Sequence, residues 1–163
     1  MGIELKTPMS EINRYIEQQI KRAEEAIIYN LQYVGERVVN HARSLPSPSA
    51  AAYKGRIPPH QPNYIDQPTA NLRSSIGYVI SCDGNIRTNG GFKAEANGST
   101  GAASGTKYAK EVAGRYPEGI VLVVVAGMEY AAYVSAKGYD VIDSAELLAD
   151  KLVPQILQQL GFK

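Results

Sequence analysis

Apolar residues recur near the start of the chain as Ile12, Ile16, Ile20, Ala23, Ile27, Leu31, Val34, Val38 and Ala42. Their 4-4-3 spacing repeats and holds them on one face of a helix. An eleven-residue period drifts little against the natural helical turn, so the face stays nearly straight. The pattern predicts a helix over 8–43. Thr7 can cap its orphan N–H groups, and Pro8 suits the first turn, where it has no N–H to lose. Such a helix is about 50 Å long at 1.5 Å per residue, which is long for 163 residues. Its inner half is expected to cover a sheet, and its outer part to overhang the core and pack on a neighbouring copy.

The periodicity then stops. Leu45 to Gln67 carries Pro46, Pro48, Gly55, Pro58, Pro59 and Pro62, which exclude regular helix or a central strand. A connection this long reads as a functional arm or a disordered segment. From Asn71 to Cys82 the period becomes two. Leu72, Ser74, Ile76, Tyr78 and Ile80 alternate with Arg73, Ser75, Gly77 and Val79, as in a half-buried strand. Asp83-Gly84 signals a hairpin turn, with Asn85–Thr88 as the returning strand.

Residues 89–105 are rich in Gly, Ala, Ser and Asn and read as a mobile loop. A short helix is expected over 104–115, with Tyr108 and Val112 inward. Ile120–Ala126 is apolar on both faces and reads as the best buried strand, covered on both sides by the two long helices. Lys137–Ile142 reads as a last strand. Asp143 and Glu146 form a capping box for a closing helix over 144–160, whose inward residues are Leu147, Leu148, Leu152, Ile156 and Leu160. Pro154 should kink or split that helix, and Gly161 suits its end. The expected class is α+β in one domain over 1–163. A long N-terminal helix and a C-terminal helix pack on a small antiparallel sheet drawn from 71–142.

Composition narrows the function classes. Seventeen Lys and Arg against sixteen Asp and Glu leave a net charge of +1. A dedicated nucleic-acid binder would carry a basic excess or stripe. Near-neutrality also leaves self-association unopposed. Cys82 is the only cysteine, so no intrachain disulfide can form, which fits a reducing compartment. Charges run through the first residues without the apolar segment of a secretory signal. The longest apolar run, 120–127, is too short to span a bilayer. Eleven tyrosines with no tryptophan favour interfaces weakly.

Candidate chemistry is thin. Residues 98–107, GSTGAASGTK, resemble a phosphate loop only in composition, because Thr106 separates Gly105 from Lys107. Cys82 with His41 could form a thiol–imidazole pair, but each has a commoner role, as a packed strand residue and as a helix-end residue. His60 stands alone in the arm, and no paired His, Cys, Asp or Glu spacing offers a metal site. Arg73 reads as part of a polar strand face, with an intersubunit ion pair as the alternative. No catalytic residue, cofactor or metal is expected.

Two segments carry a resemblance. One is Thr69-Ala70-Asn71-Leu72-Arg73-Ser74-Ser75-Ile76-Gly77-Tyr78-Val79-Ile80. The other is Val123-Val124-Val125-Ala126-Gly127-Met128-Glu129-Tyr130-Ala131-Ala132-Tyr133-Val134, followed by Lys137-Gly138-Tyr139. Together they resemble the neck and minor tail-component family of long-tailed bacteriophages, in which a Thr-Gly-Asn-Leu-Arg-x-Ser-Ile segment precedes a Tyr-Ala-x-Tyr-Val-Glu-x-Gly segment. The order of elements is similar over most of the chain.

The resemblance implies a structural virion protein acting in head–tail joining or tail completion. It implies no enzyme activity and no cofactor. The implied partners are further copies of the chain, including a ring, and phage head-connector or tail proteins. DNA would be met only in passage, which suits the sparse Lys93 and Lys107. No membrane is implied. The implied location is the virion, and the host cytoplasm during assembly. Asn71, Leu72, Arg73, Ser75, Tyr130, Ala131 and Tyr133 become the candidate interface residues. Ala70 stands where the family favours glycine, and would be strained if that position needs a positive φ. Ser135 stands where it favours glutamate. The rival reading is a small non-catalytic adaptor whose proline-rich arm holds a protein partner.

Overall fold

The structure is a computed structural model and describes residues 8–45, 70–95, 97–136 and 138–162. Helix α1 runs over Met9–Ser44. A single turn, α2 (Asn71–Ser74), leads into β1 (Ile76–Cys82) and β2 (Asn85–Gly90). Helix α3 (Ser99–Ala113), strand β3 (Ile120–Ala126), the short helix α4 (Ala131–Ala136) and helix α5 (Asp143–Gln159) complete the order. The fold is α+β, with a long N-terminal helix, a C-terminal helix and a small three-stranded antiparallel sheet. The proline-rich arm, His60 and the Thr7 cap lie outside the described residues.

Strand β1 is the centre, in the order β2-β1-β3. Its even residues Ile76, Tyr78 and Ile80 face Leu31, Val34, Val38, Val39 and Ala42 of α1, with Ala145 and Ile156 of α5 in the same core. Its odd residue Val79 joins Val123 and Val125 of β3 against Ala109 and Ala113 of α3. Period two therefore holds, but helices cover both faces, so β1 is buried along its whole length rather than half-buried. Each such aliphatic side chain contributes about 1.5–3 kcal/mol on burial. The bulky Tyr78 fits because Gly35 lies under its ring, where an added Cβ would sit 2.8 Å from ring carbons.

The Asp83-Gly84 turn is as expected. Both residues have positive φ, 48° and 74°, as a two-residue hairpin of the mirror-image type requires.

Several expectations change. The alternation does not begin at Asn71, because residues 71–74 form a helical turn and the strand starts at Ile76. Leu72 is therefore not a strand residue. The apolar Ile120–Ala126 strand lies at the sheet edge, and most of its side chains are only partly buried. Its two covering helices are α1 and α3, rather than α1 and α5 alone.

The Gly-rich stretch is irregular only in its middle, at 91–95 and the turn 97–98. β2 runs on to Gly90, and α3 begins at Ser99, taking up the small residues as its first turns. Gly101, Gly105, Ala109 and Ala113 recur every four residues and form its buried face. Glycine costs up to about 1 kcal/mol in a helix, and close backbone packing offsets that here. Tyr108 points outward, and Val112 packs inward.

Residues 138–142 form bends rather than a strand. The expected capping box at Asp143 is replaced by Asp140, whose Oδ1 accepts the Ser144 N–H at 3.2 Å. α5 continues through Pro154 without splitting, and Leu147 is exposed rather than inward.

The inner half of α1 covers the sheet and the outer half does not. Buried positions begin at Leu31, whereas Met9, Ile16 and Ile20 are 60%, 48% and 52% exposed.

Candidate functional site

The two motif segments meet at one end of the sheet. Ile76 pairs with Ala126 across the β1–β3 ladder, and the Gly127 N–H donates to the Ser75 carbonyl at 3.2 Å. The helix turn α2 sits against the start of α3. Asn71 Oδ1 accepts the Gly101 N–H at 3.1 Å, capping one of the orphan donors in the first turn of α3 from outside its own sequence. Ser74 Oγ accepts the Glu95 N–H at 2.9 Å, and Ser75 Oγ donates to the Leu72 carbonyl at 2.7 Å.

Glycines permit the approach. An added Cβ would lie 2.1 Å from the Asn71 carbonyl at Gly101, and 2.3 Å from the Ser75 carbonyl at Gly105. At Gly127 it would lie 2.3 Å from the Gly105 Cα. Ala70, just before the turn, has φ 50° and ψ 17°. That is the left-handed region, so alanine is strained where the resemblance expects glycine.

Charged groups gather beside this turn. Arg43, in the last turn of α1, donates to the carbonyls of Gly91 and Lys93 and to Glu95 Oε1, the last at 2.5 Å. Arg73 Nη1 lies 3.7 Å from the other Glu95 oxygen. Arg73 is thus held within its own chain as well as lying on the turn. Glu95 bridges the last turn of α1 and α2, which are the two places where residues 46–69 leave and rejoin the described chain. The carboxylate therefore ties together the feet of the arm. Glu95 is partly exposed in both pairs, but Arg43 is more buried than Arg73 and lies closer, so the first pair holds more strongly.

Tyr130 ends the turn beyond Gly127, and Ala131 and Tyr133 lie in the first turn of α4. Tyr133 is half exposed, while Val134 is buried. Ser135 donates to Asp143 Oδ2 at 3.0 Å, tying α4 to α5 with a neutral group where the resemblance expects a charge.

The thiol–imidazole pair does not assemble. Gly35 and Val39 of α1 lie against Tyr78 and Gly91 respectively, and the Gly91 site also touches Gly77, so α1 runs antiparallel to β1. His41 is therefore near the Ile76 end, and Cys82 is six residues away along the strand, about 20 Å. Burial pushes the Cys82 thiol up from its ordinary range, with Asp83 adding to it, which favours the inert protonated form.

His41 instead lies with Nε2 2.9 Å from Ser144 Oγ. A nucleophile and base could share that spacing. Asp140 accepts the N–H of Ser144 at the start of α5. Hydrogen bonding from Ser144 holds the Asp140 carboxyl below its usual range. The group reads as a helix cap docking α5 on α1. Among the described residues, no three His, Cys, Asp or Glu side chains gather to hold a metal, and no helix is long and apolar enough to cross a membrane.

Sequence reasoning missed Arg43, Ser74, Glu95 and the packing glycines. The four-residue spacing of Gly101, Gly105, Ala109 and Ala113 was a legible signal for a small-residue helix face. Nothing local pairs Arg43 with Glu95. Comparison with family models, with curated proteins and with solved structures returns no match.

Proposed function

We propose that this chain is a structural virion protein of a tailed bacteriophage or prophage, acting without catalysis in head–tail joining or tail completion by self-assembly and docking. The observation that carries the reading is the convergence of the two motif segments. Asn71 caps α3 while Ser75 receives Gly127, so the residues behind the resemblance act together as one packed corner. That corner fixes the feet of the proline-rich arm through Arg43, Glu95 and Arg73. A packed base at both ends of a long proline-rich segment suits a part that docks on a partner. The exposed outer half of α1 suits contact with further copies.

Deleting the gene from a phage genome that carries it tests the reading. Unjoined heads and tails in electron micrographs are expected. Fully joined, infectious particles would overturn it.

The fixed arm feet also suit the rival, a small adaptor that holds a protein partner with residues 45–67. Capture of a cellular ligand that depends on the arm, with no association with portal-side or tail-tube proteins, would favour that rival.

A further inference from the structure

The apolar stripe of α1 is one continuous face with two fates. From Ile27 to Ala42 it is covered by the sheet and by α5. α5 docks its N-terminus at His41 through Ser144 and runs back along α1. Leu160, the residue that follows α5, joins the same core as Ile27 and Ile28, where the cover ends. Beyond that point Ile20, Ile16 and Met9 continue the stripe in solvent. Isoleucine is a mediocre helix former, and an isolated stretch of this length is marginal in water. Three isoleucines here make sense for packing rather than propensity.

The arm cannot cover the whole stripe: Ile20 and Ile16, about 38 and 44 Å from Leu45 along the helix, are within its reach, and Ile12 is not. Residues 46–69 leave and return at the opposite end of α1, at Leu45 and Ala70. Fully extended, their tip reaches about 40–45 Å from those feet. Ile12 lies about 50 Å from Leu45 along the helix.

Charge selects the occupant and its direction. At 100° per residue, Glu17 and Glu24 flank the stripe on one side, and Tyr15 and Arg22 on the other. Antiparallel pairing of two copies centred between Ile20 and Lys21 would set Glu17 of each against Glu24 of the other. Parallel packing sets the acidic flank of one copy against the Tyr15–Arg22 flank of the next. In heptad coils isoleucine at both core positions favours bundles of more than two helices, and the eleven-residue spacing here turns the same side chains inward.

We propose that residues 9–23 of α1 are a self-association element, which joins more than two copies of this chain as a parallel helix bundle with Ile12, Ile16 and Ile20 inside. This names the self-contact surface of the assembly role above and rests on that reading for its purpose.

Sedimentation equilibrium of the full chain tests it, with the double variant Ile16→Asp, Ile20→Asp beside it. The wild type should exceed a dimer in mass, and the variant should associate about 100-fold or more weakly. At concentrations low enough to dissociate both proteins, its thermal unfolding should match the wild type's, because both positions lie outside the core. Orientation is read in a Cys82→Ser background carrying Ile16→Cys. A parallel bundle gives rapid disulfide cross-linking between copies, and an antiparallel one does not.

A wild type that is monomeric or dimeric overturns the bundle. An oligomer unaffected by the double variant overturns this surface while leaving self-assembly through another face intact. Loss of association without cross-linking at position 16 overturns the parallel arrangement. If the bundle forms but the deleted phage still joins heads to tails, the surface stands and the virion role fails.

Discussion

Replacing Gly105 by alanine separates the two readings of the small-residue stretch by sign. In a mobile loop, or on an exposed helix face, the change would be neutral or stabilising by up to about 1 kcal/mol, because alanine is the better helix former and restricts the unfolded chain. In the packed corner the new Cβ would lie 2.3 Å from the Ser75 carbonyl oxygen and 2.9 Å from that residue's carbonyl carbon and Cα. These are backbone atoms, and the same carbonyl accepts the Gly127 N–H. They cannot yield as the tip of a long side chain would.

Overpacking of this kind costs about 1–3 kcal/mol, and weakening the hydrogen bond to Gly127 adds about 1 kcal/mol. After the propensity gain, a net loss of about 1–3 kcal/mol is expected. For a chain of this size that lowers Tm by about 2–12 °C. Gly114→Ala is the internal control. Its Cβ would meet only carbonyls at 3.5 Å, and its backbone is already right-handed helical, so Tm should hold or rise. Thermal unfolding followed by circular dichroism at the helix band reads both. A Gly105→Ala protein as stable as wild type would refute the close packing of α3 on α2 and β1.

Four further outcomes are expected. Ala70→Gly relieves a left-handed alanine and should stabilise by about 0.5–1 kcal/mol after the entropy cost of glycine, with denaturant midpoints as the check. Ser81 Oγ is buried with no hydrogen-bond partner among the described residues, so Ser81→Ala should leave stability unchanged or raise it by about 1 kcal/mol; a clear loss would reveal a partner. Burial, reinforced by the hydrogen bond to Glu36, pushes Tyr78 from 10.0 up to about 12. The fold thus favours the protonated phenol, so the stabilisation is complete below pH 10 and is lost as pH rises towards 12. The loss is about 2–3 kcal/mol and should be absent in Tyr78→Phe unfolding curves. Asp140 behaves oppositely. Its lowered carboxyl favours the charged form when folded, so its support is present above the ordinary carboxylate range and fades as pH falls below about 4. Asp140→Asn should flatten that acid limb in pH-dependent melts.

The sequence by itself determined what depends on near neighbours along the chain. The 4-4-3 stripe specified α1 to within a residue at each end, since a helical face is a local periodicity. Asp83-Gly84 specified the hairpin, because positive φ at both positions is a local demand. The α+β class followed from those elements in order.

Tertiary structure decided what glycine and valine runs leave open. Gly101 and Gly105 read as loop until the α2 backbone is brought against them, because only that contact offsets the cost of glycine in a helix. Ile120–Ala126 reads as the best buried strand, yet the centre of the sheet went to Ile76–Cys82. Strand order is set by which hairpins close and which helices cover them, and no single strand carries that information. The site divides the same way. Asn71, Arg73, Ser75 and Tyr130 were legible as motif residues. Their work required partners far along the chain, Gly101, Glu95 and Gly127, and only the folded chain puts a helix N-terminus, a carboxylate and a strand end beside one turn.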